Sequence, residues 1–317
     1  MNVYLTFDIE VWCRGWADLD GQFPASFERY VYGRSARGDY ALPRTLEILA
    51  RHGLRGVFFV EPLFAARFGI KYLRTIVELI RAGGHDIQLH LHPEWTDEIR
   101  PLPFPGAVNK RQHLSYYSLE EQTTLMRMGL DLLAQVGCPG IQAFRAGSFA
   151  CNADTFRALR ACGLKVDSSL NSELAESGGD LRGRIDLHRP QVLEGVKVLP
   201  MTVFRDGRGR MRPAQVGSCS LAEFRAALDS AHDLGVEHFV VLSHNFEMLK
   251  QQSSAPDSLV VKRFEGLCAY LAGHPERFRV ATLEVAPSIS DTSVPLPEAG
   301  LAATLLRYGE QLARRFL

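Results

Sequence analysis

Val3-Tyr4-Leu5-Thr6-Phe7-Asp8-Ile9-Glu10 is a short apolar run that ends in two carboxylates. A run of this length, rich in β-forming residues and closed by acids, reads as a buried strand. Side chains two apart on a strand point the same way, with α-carbons about 6.6 Å apart. Asp8 and Glu10 therefore face one common site at the strand's C-terminal end, although two solvated acids at a strand exit would leave the same pattern. Further strands are predicted over residues 56–60, 87–91, 142–145, 165–167, 196–199, 239–243 and 278–282, each short, apolar and bounded by Gly, Pro, Asp or His. Between them, apolar residues at three- and four-residue steps predict helices over 42–52, 72–82, 119–135, 153–161, 221–234 and 260–271. Ser118 with Glu121 and Ser220 with Glu223 form capping boxes, and Gly53, Gly163 and Gly235 follow helical runs.

Alternating strands and helices favour a parallel sheet or barrel. Seven to eight strands suit a distorted (β/α) barrel better than an open sheet, for which a Gly-rich phosphate turn would be expected. In such barrels chemistry gathers at the C-terminal ends of strands, which selects the polar residues to weigh.

The composition sets the class. The 317 residues carry 36 basic and 36 acidic side chains, with 46% hydrophobic and 23% charged residues, as in a folded globular protein. Zero net charge argues against a general electrostatic hold on nucleic acid or anionic lipid, while leaving room for a local basic patch such as residues 205–212. Cys13, Cys138, Cys151, Cys162, Cys219 and Cys268 are dispersed, without zinc-ribbon spacing, as expected of reduced thiols in the cytoplasm. No signal segment and no apolar run of membrane-spanning length is evident.

Three stretches interrupt the alternation, 13–40, 93–117 and the linker-like 287–297, and loops as long as the first two are usually functional lids or disordered. The expected organisation is one barrel over 1–285, then a linker and C-terminal amphipathic helix over 286–317. That helix, over 298–316, carries Leu301, Leu305, Leu312 and Phe316. Packing back on its own barrel is favoured, and a homodimer through the helix is the alternative.

Gly84-His85-Asp86-Ile87-Gln88-Leu89-His90-Leu91-His92-Pro93-Glu94-Trp95 is the densest polar signal. His90 and His92 share one face of a strand end, and two imidazoles with a carboxylate suit a divalent ion such as zinc. Two half-buried histidines satisfied by hydrogen bonds would look the same. Glu94 is a reserve ligand, and His85, at the strand entrance, is structural. Arg145 precedes a glycine turn in Arg145-Ala146-Gly147-Ser148-Phe149, where it could orient a catalytic carboxylate. His244, ending Val241-Leu242-Ser243-His244, could protonate a leaving amine.

Thr6-Phe7-Asp8, Gly84-His85-Asp86-Ile87 followed by His90, Arg145-Ala146-Gly147, Asp167 after a short apolar strand, and Leu242-Ser243-His244 follow one another in an order that resembles the polysaccharide deacetylase superfamily. That is the NodB-homology or carbohydrate esterase family 4 type, and the resemblance runs over about residues 3–285. It implies a distorted (β/α) barrel and metal-dependent removal of N-acetyl groups from sugars. By the same resemblance Asp8 is the catalytic base, Arg145 orients it, His90 binds metal, Asp167 tunes the catalytic histidine, and His244 is the general acid.

Two positions depart from the family's pattern. Ile9 stands where the second aspartate would bind metal, so Glu10 must substitute, and the second metal histidine is His92 at +2, with Glu94 at +4. The His-x-His-Pro-Glu-Trp form resembles subgroups linked with lipopolysaccharide and O-antigen biosynthesis. The resemblance thus implies zinc on Glu10, His90 and His92, and an N-acetylated sugar or glycan on a nucleotide or lipid carrier. A backbone N–H near Ser148 and Phe149 would meet the oxyanion. Trp12 and Trp95, in or beside the insertions, could stack on sugar rings or simply pack the loops. Two other readings are a hydrolase of a small cyclic amide, ureide or formamide, and a non-catalytic glycan-binding or assembly module on the same barrel.

Overall fold

The computed structural model describes residues 1–251, 253–290 and 294–314, except the side chain of Ala313. Along the chain, β1 (Asn2–Ile9) is followed by α1 (Leu19–Phe27), α2 (Leu42–Arg51), β2 (Val57–Val60), α3 (Ile70–Ala82), β3 (Asp86–Leu91), α4 (Leu119–Gln135), β4 (Ala143–Ala146), α5 (Ala153–Ala161) and β5 (Val166–Asp167). Then come β6 (Gln191–Leu193), β7 (Val196–Val198), β8 (Val203–Arg205), β9 (Met211–Pro213), α6 (Leu221–Asp233), β10 (His238–His244), α7 (Ser258–Ala272), β11 (Arg279–Val280) and α8 (Leu301–Arg314). All eight strands and all six mid-chain helices expected from the sequence are present, with ends shifted by at most two residues. Such drift is usual at frayed termini.

These elements cluster into two compact units, one of Met1–Gly56, Val203–Ala281 and Val294–Leu317, the other of Val57–Thr202 and Thr282–Ser293. In the first unit β1 pairs in parallel with β10 and β11. Its apolar run is buried on both faces, from Val3 to Ile9, which is what a parallel strand covered by helices requires. Phe7 meets Phe264 of α7 edge to face, with ring centroids 5.6 Å apart. The register sets Asp8 opposite His244, so both strands deliver polar side chains at the same level.

In the second unit β2, β3, β4, β5 and β7 run parallel in that order, and β6 adds an antiparallel edge to β7. Helix α4 lies close over β3 because Gly129 leaves room. A Cβ there would stand 2.8 Å from a Leu89 methyl. Both capping boxes read from the sequence are formed, at Ser118 and Ser220, and a third closes α5 through Asn152 and Thr155.

The 13–40 stretch is not irregular. It holds α1, which buries Leu19, Phe23 and Phe27, then a short helix at Glu28–Tyr32. The 93–117 stretch contains two 3-10 turns, Pro93–Glu98 and Leu114–Tyr116. None of the six cysteines forms a disulfide, and among the described residues no helix is long and apolar enough to cross a membrane.

Helix α8 packs back on its own unit, but through the face opposite its leucines. Ala303, Thr304 and Arg307 are buried, whereas Leu301, Leu305, Leu306 and Leu312 are 51–59% exposed. Arg307 donates to Glu223 at 2.7 Å and to Asp206 at 3.1 Å. Arg263 bonds Glu310 at 2.8 Å, and Arg314 bonds Asp257 at 2.7 Å. Charge pairing, not a leucine stripe, fastens the helix. Phe316, expected on the same stripe, lies outside the described residues.

Candidate active site

In the first unit Asp8 and Glu10, two apart on β1 and its exit, are buried beside a half-buried His244, and ligand atoms of the three lie within 4.8 Å of one another. Two residues that no sequence motif marked hold this cluster. Asn245 clamps the backbone of Glu10, donating to its carbonyl at 3.0 Å and accepting from its N–H at 3.1 Å. Its own N–H bonds the Asp8 carbonyl at 3.2 Å. Glu247 sets its Oε1 3.9 Å from His244 Nδ1. Both follow His244 directly in His244-Asn245-Phe246-Glu247, a polar run whose signal is only that it continues past the strand end.

Burial opposes a charge on His244. The nearby carboxylates of Glu247, Glu10 and Asp8 outweigh it and push the imidazole up to about 9. Trp12 points its indole N–H at Glu10 Oε2, 2.6 Å away. It therefore orients a carboxylate, and its ring lies edge-on to Trp16 with centroids 6.2 Å apart.

In the second unit His90 and His92 sit buried at the C-terminal end of β3, with ring centroids 4.9 Å apart. His90 Nδ1 lies 2.8 Å from the Arg145 carbonyl. A carbonyl only accepts, so Nδ1 carries the proton and Nε2 is the ring's ligating nitrogen. His92 Nδ1 is 3.3 Å from Glu94 Oε2, which fixes the second ring in the same sense. Orienting a ring through its far nitrogen is the arrangement seen around metal-binding histidines. Glu10, held by an indole, and two histidines of fixed tautomer thus have the chemistry of divalent-metal donors.

Gly147 lets β4 turn beside His92, since a Cβ there would come within 2.7 Å of the His92 ring and of the Leu91 carbonyl. Ser148 and Phe149 follow with φ of 54° and 56°. Left-handed backbone at two successive non-glycine residues is strained, as at many sites that aim a backbone N–H.

Arg145 is fully buried. Its guanidinium lies 4.3 Å from the Phe59 ring and donates to the Ser168 carbonyl and hydroxyl at 3.2 and 3.0 Å. Asp167 accepts from the Ser169 N–H and hydroxyl at 2.8 and 2.6 Å. Burial pushes its carboxyl up to about 6, against those hydrogen bonds and Arg145. Glu61, after β2, is a second carboxylate the sequence reading passed over. Burial raises it to about 8, opposed by bonds from Leu63 and Phe64 N–H and by His92.

Trp95 is buried and packs edge-on to Phe68, a core position. His85 is buried against Phe58, in keeping with its structural reading.

No family model matches the chain, and no curated protein matches it in sequence. Solved structures do. A protein from Mycobacterium smegmatis, provisionally described as a polysaccharide deacetylase, superposes with a TM-score of 0.57 at 18% identity, over 92% of this chain and 94% of its own. The chain has the polysaccharide-deacetylase fold.

The fold class is the distorted (β/α) barrel expected from the sequence. A family 4 carbohydrate esterase from Streptomyces lividans, in complex with acetate, is similar at 13% identity and a TM-score of 0.42, covering 93% of this chain and 97% of its own. A chitin deacetylase from Colletotrichum lindemuthianum is similar at 14% and 0.41, covering 93% and 91%.

Proposed function

We propose that the protein is a metal-dependent deacetylase that hydrolyses the N-acetyl group of an amino sugar. The observation that carries this reading is the cluster of buried Asp8 and Glu10 with half-buried His244 at the ends of two paired strands, with His244 pushed toward its protonated form. An acid and a base side by side are what amide hydrolysis needs.

Glu10, His90 and His92 would hold the metal, which on this donor set is zinc. When bound, a divalent ion polarises the amide carbonyl and makes water a nucleophile near neutral pH. Asp8 takes the proton from that water, with Arg145 orienting it. His244 gives its proton to the departing amine nitrogen, with Glu247 as the neighbouring carboxylate that keeps it charged. A backbone N–H at Ser148 or Phe149 meets the oxyanion.

The His-x-His-Pro-Glu-Trp form supports a substrate from lipopolysaccharide or O-antigen synthesis, carried on a nucleotide or lipid. Six unpaired thiols support a cytoplasmic setting. The test measures bound metal and acetate release from N-acetylated sugars for the wild type, for His90→Ala with His92→Ala, and for His244→Ala. The double variant should lose metal and activity. His244→Ala should keep metal while turnover falls about a hundredfold or more. Full activity in the double variant would sink the metal reading.

A further inference from the structure

Helix α8 carries its charges inward and its leucines outward, the reverse of an ordinary surface helix. At 100° per residue Leu301, Leu305 and Leu312 fall on one stripe, with Leu306 exposed on a flank 100° round from Leu305. The inward face is already committed to Glu223, Asp206, Arg263 and Asp257. Rotating the helix to bury the leucines would strip Glu223 and Asp206 of their buried partner. The exposed stripe is thus fixed by the fold.

Beside it stands the turn between β8 and β9. Arg205 exchanges backbone hydrogen bonds of 2.8 Å with Pro297 and Ala299, at the entrance to α8. Gly207 donates to Thr304 Oγ at 2.8 Å, and Arg208 sits 5.2 Å from the Tyr308 ring. The turn's own acid, Asp206, is buried on Arg307 and caps the Arg208 and Arg210 N–H groups at 2.9 and 3.0 Å. Arg205, Arg208 and Arg210 are exposed, and no carboxylate among the described residues pairs with them. The exposed acid nearest in the chain contacts is Glu298, whose backbone bridges to Arg205, so the edge keeps an excess of positive charge.

We propose that this face docks on an anionic lipid bilayer, with the leucines in the acyl boundary and the arginines on headgroup phosphates. An apolar stripe rimmed by arginines fits such a surface. A second copy would bring a like set of arginines and little acid to meet them. In a chain of zero net charge, this local concentration of arginines gives the molecule a cationic side.

The experiment is co-sedimentation of the full chain with phosphatidylcholine vesicles, with and without about 30% phosphatidylglycerol, which supplies the surface charge. Binding should need the anionic lipid and weaken as salt rises. Leu305→Asp with Leu312→Asp should lower affinity at least tenfold, and Arg208→Glu with Arg210→Glu about tenfold. Both arginines are exposed on the turn and belong to none of the ion pairs that fasten α8, so the pair tests the surface even if the leucine variant loosens the helix. No sedimentation with anionic vesicles at low salt overturns the proposal, as does equal binding to pure phosphatidylcholine. A dimer in analytical ultracentrifugation that the leucine variant abolishes would give the face to a second copy instead.

Discussion

His244 Nδ1 lies 3.9 Å from Glu247 Oε1, and Glu247 is itself held from two sides. Ser243 Oγ donates to one carboxylate oxygen at 2.8 Å, and Gln215 Nε2 to the other at 2.7 Å. Gly217 lets the chain pass close by, where a Cβ would come within 2.5 Å of Oε1. The carboxylate is fixed in place, and its charge bears on His244.

Glu247→Gln keeps the shape and removes the charge. Burial already works against the imidazolium, so losing one of the three carboxylates that support it lowers the pKa from about 9 toward the usual 6.5. The sign follows directly. The wild-type ring sheds its proton only as pH rises through about 9, and the variant does so at lower pH. An NMR titration of the imidazole in metal-free protein should record a fall of about one unit or more. Turnover should fall about tenfold at neutral pH with little change in KM.

Gly147→Ala tests the placement of His92. The added methyl would stand 2.7 Å from the ring and from a backbone carbonyl that cannot yield. His92 must turn off Glu94, and metal affinity should fall about ten- to a hundredfold. Titration with a chelating indicator reads this. Unchanged affinity would mean that His92 is not a ligand.

How much of this was legible depended on whether a local period governed the residue. Asp8 with Glu10, and His90 with His92, could be paired because a strand alternates strictly, and Asp8 met His244 because parallel strands share a level. The indole of Trp12 returns to Glu10 through the loop after β1, and no period fixes a loop's course. Glu247 reaches His244 through a turn for the same reason. The face of α8 was misjudged because an amphipathic helix is assumed to bury its leucines. Its docking partners, Asp206 and Glu223, lie 101 and 84 residues away in sequence, and no short-range pattern encodes them.

Trp12→Phe separates orientation from packing. The ring survives, its edge contact with Trp16 survives, and the hydrogen bond to Glu10 is lost. Metal affinity should fall about tenfold, with the unfolding midpoint little changed. An equal loss of stability and affinity would assign Trp12 to packing.

Arg307→Ala and Arg314→Ala should differ sharply in urea unfolding. Arg307 is 5% exposed and its two carboxylate partners are fully covered. Removing it leaves Asp206 and Glu223 buried without their cation, a loss of about 3–5 kcal/mol. Arg314 is 40% exposed against Asp257, so water screens the pair and its loss costs about 1 kcal/mol or less. Similar small losses for both would mean that water reaches Asp206 and Glu223, and that α8 is held by something other than its buried arginine.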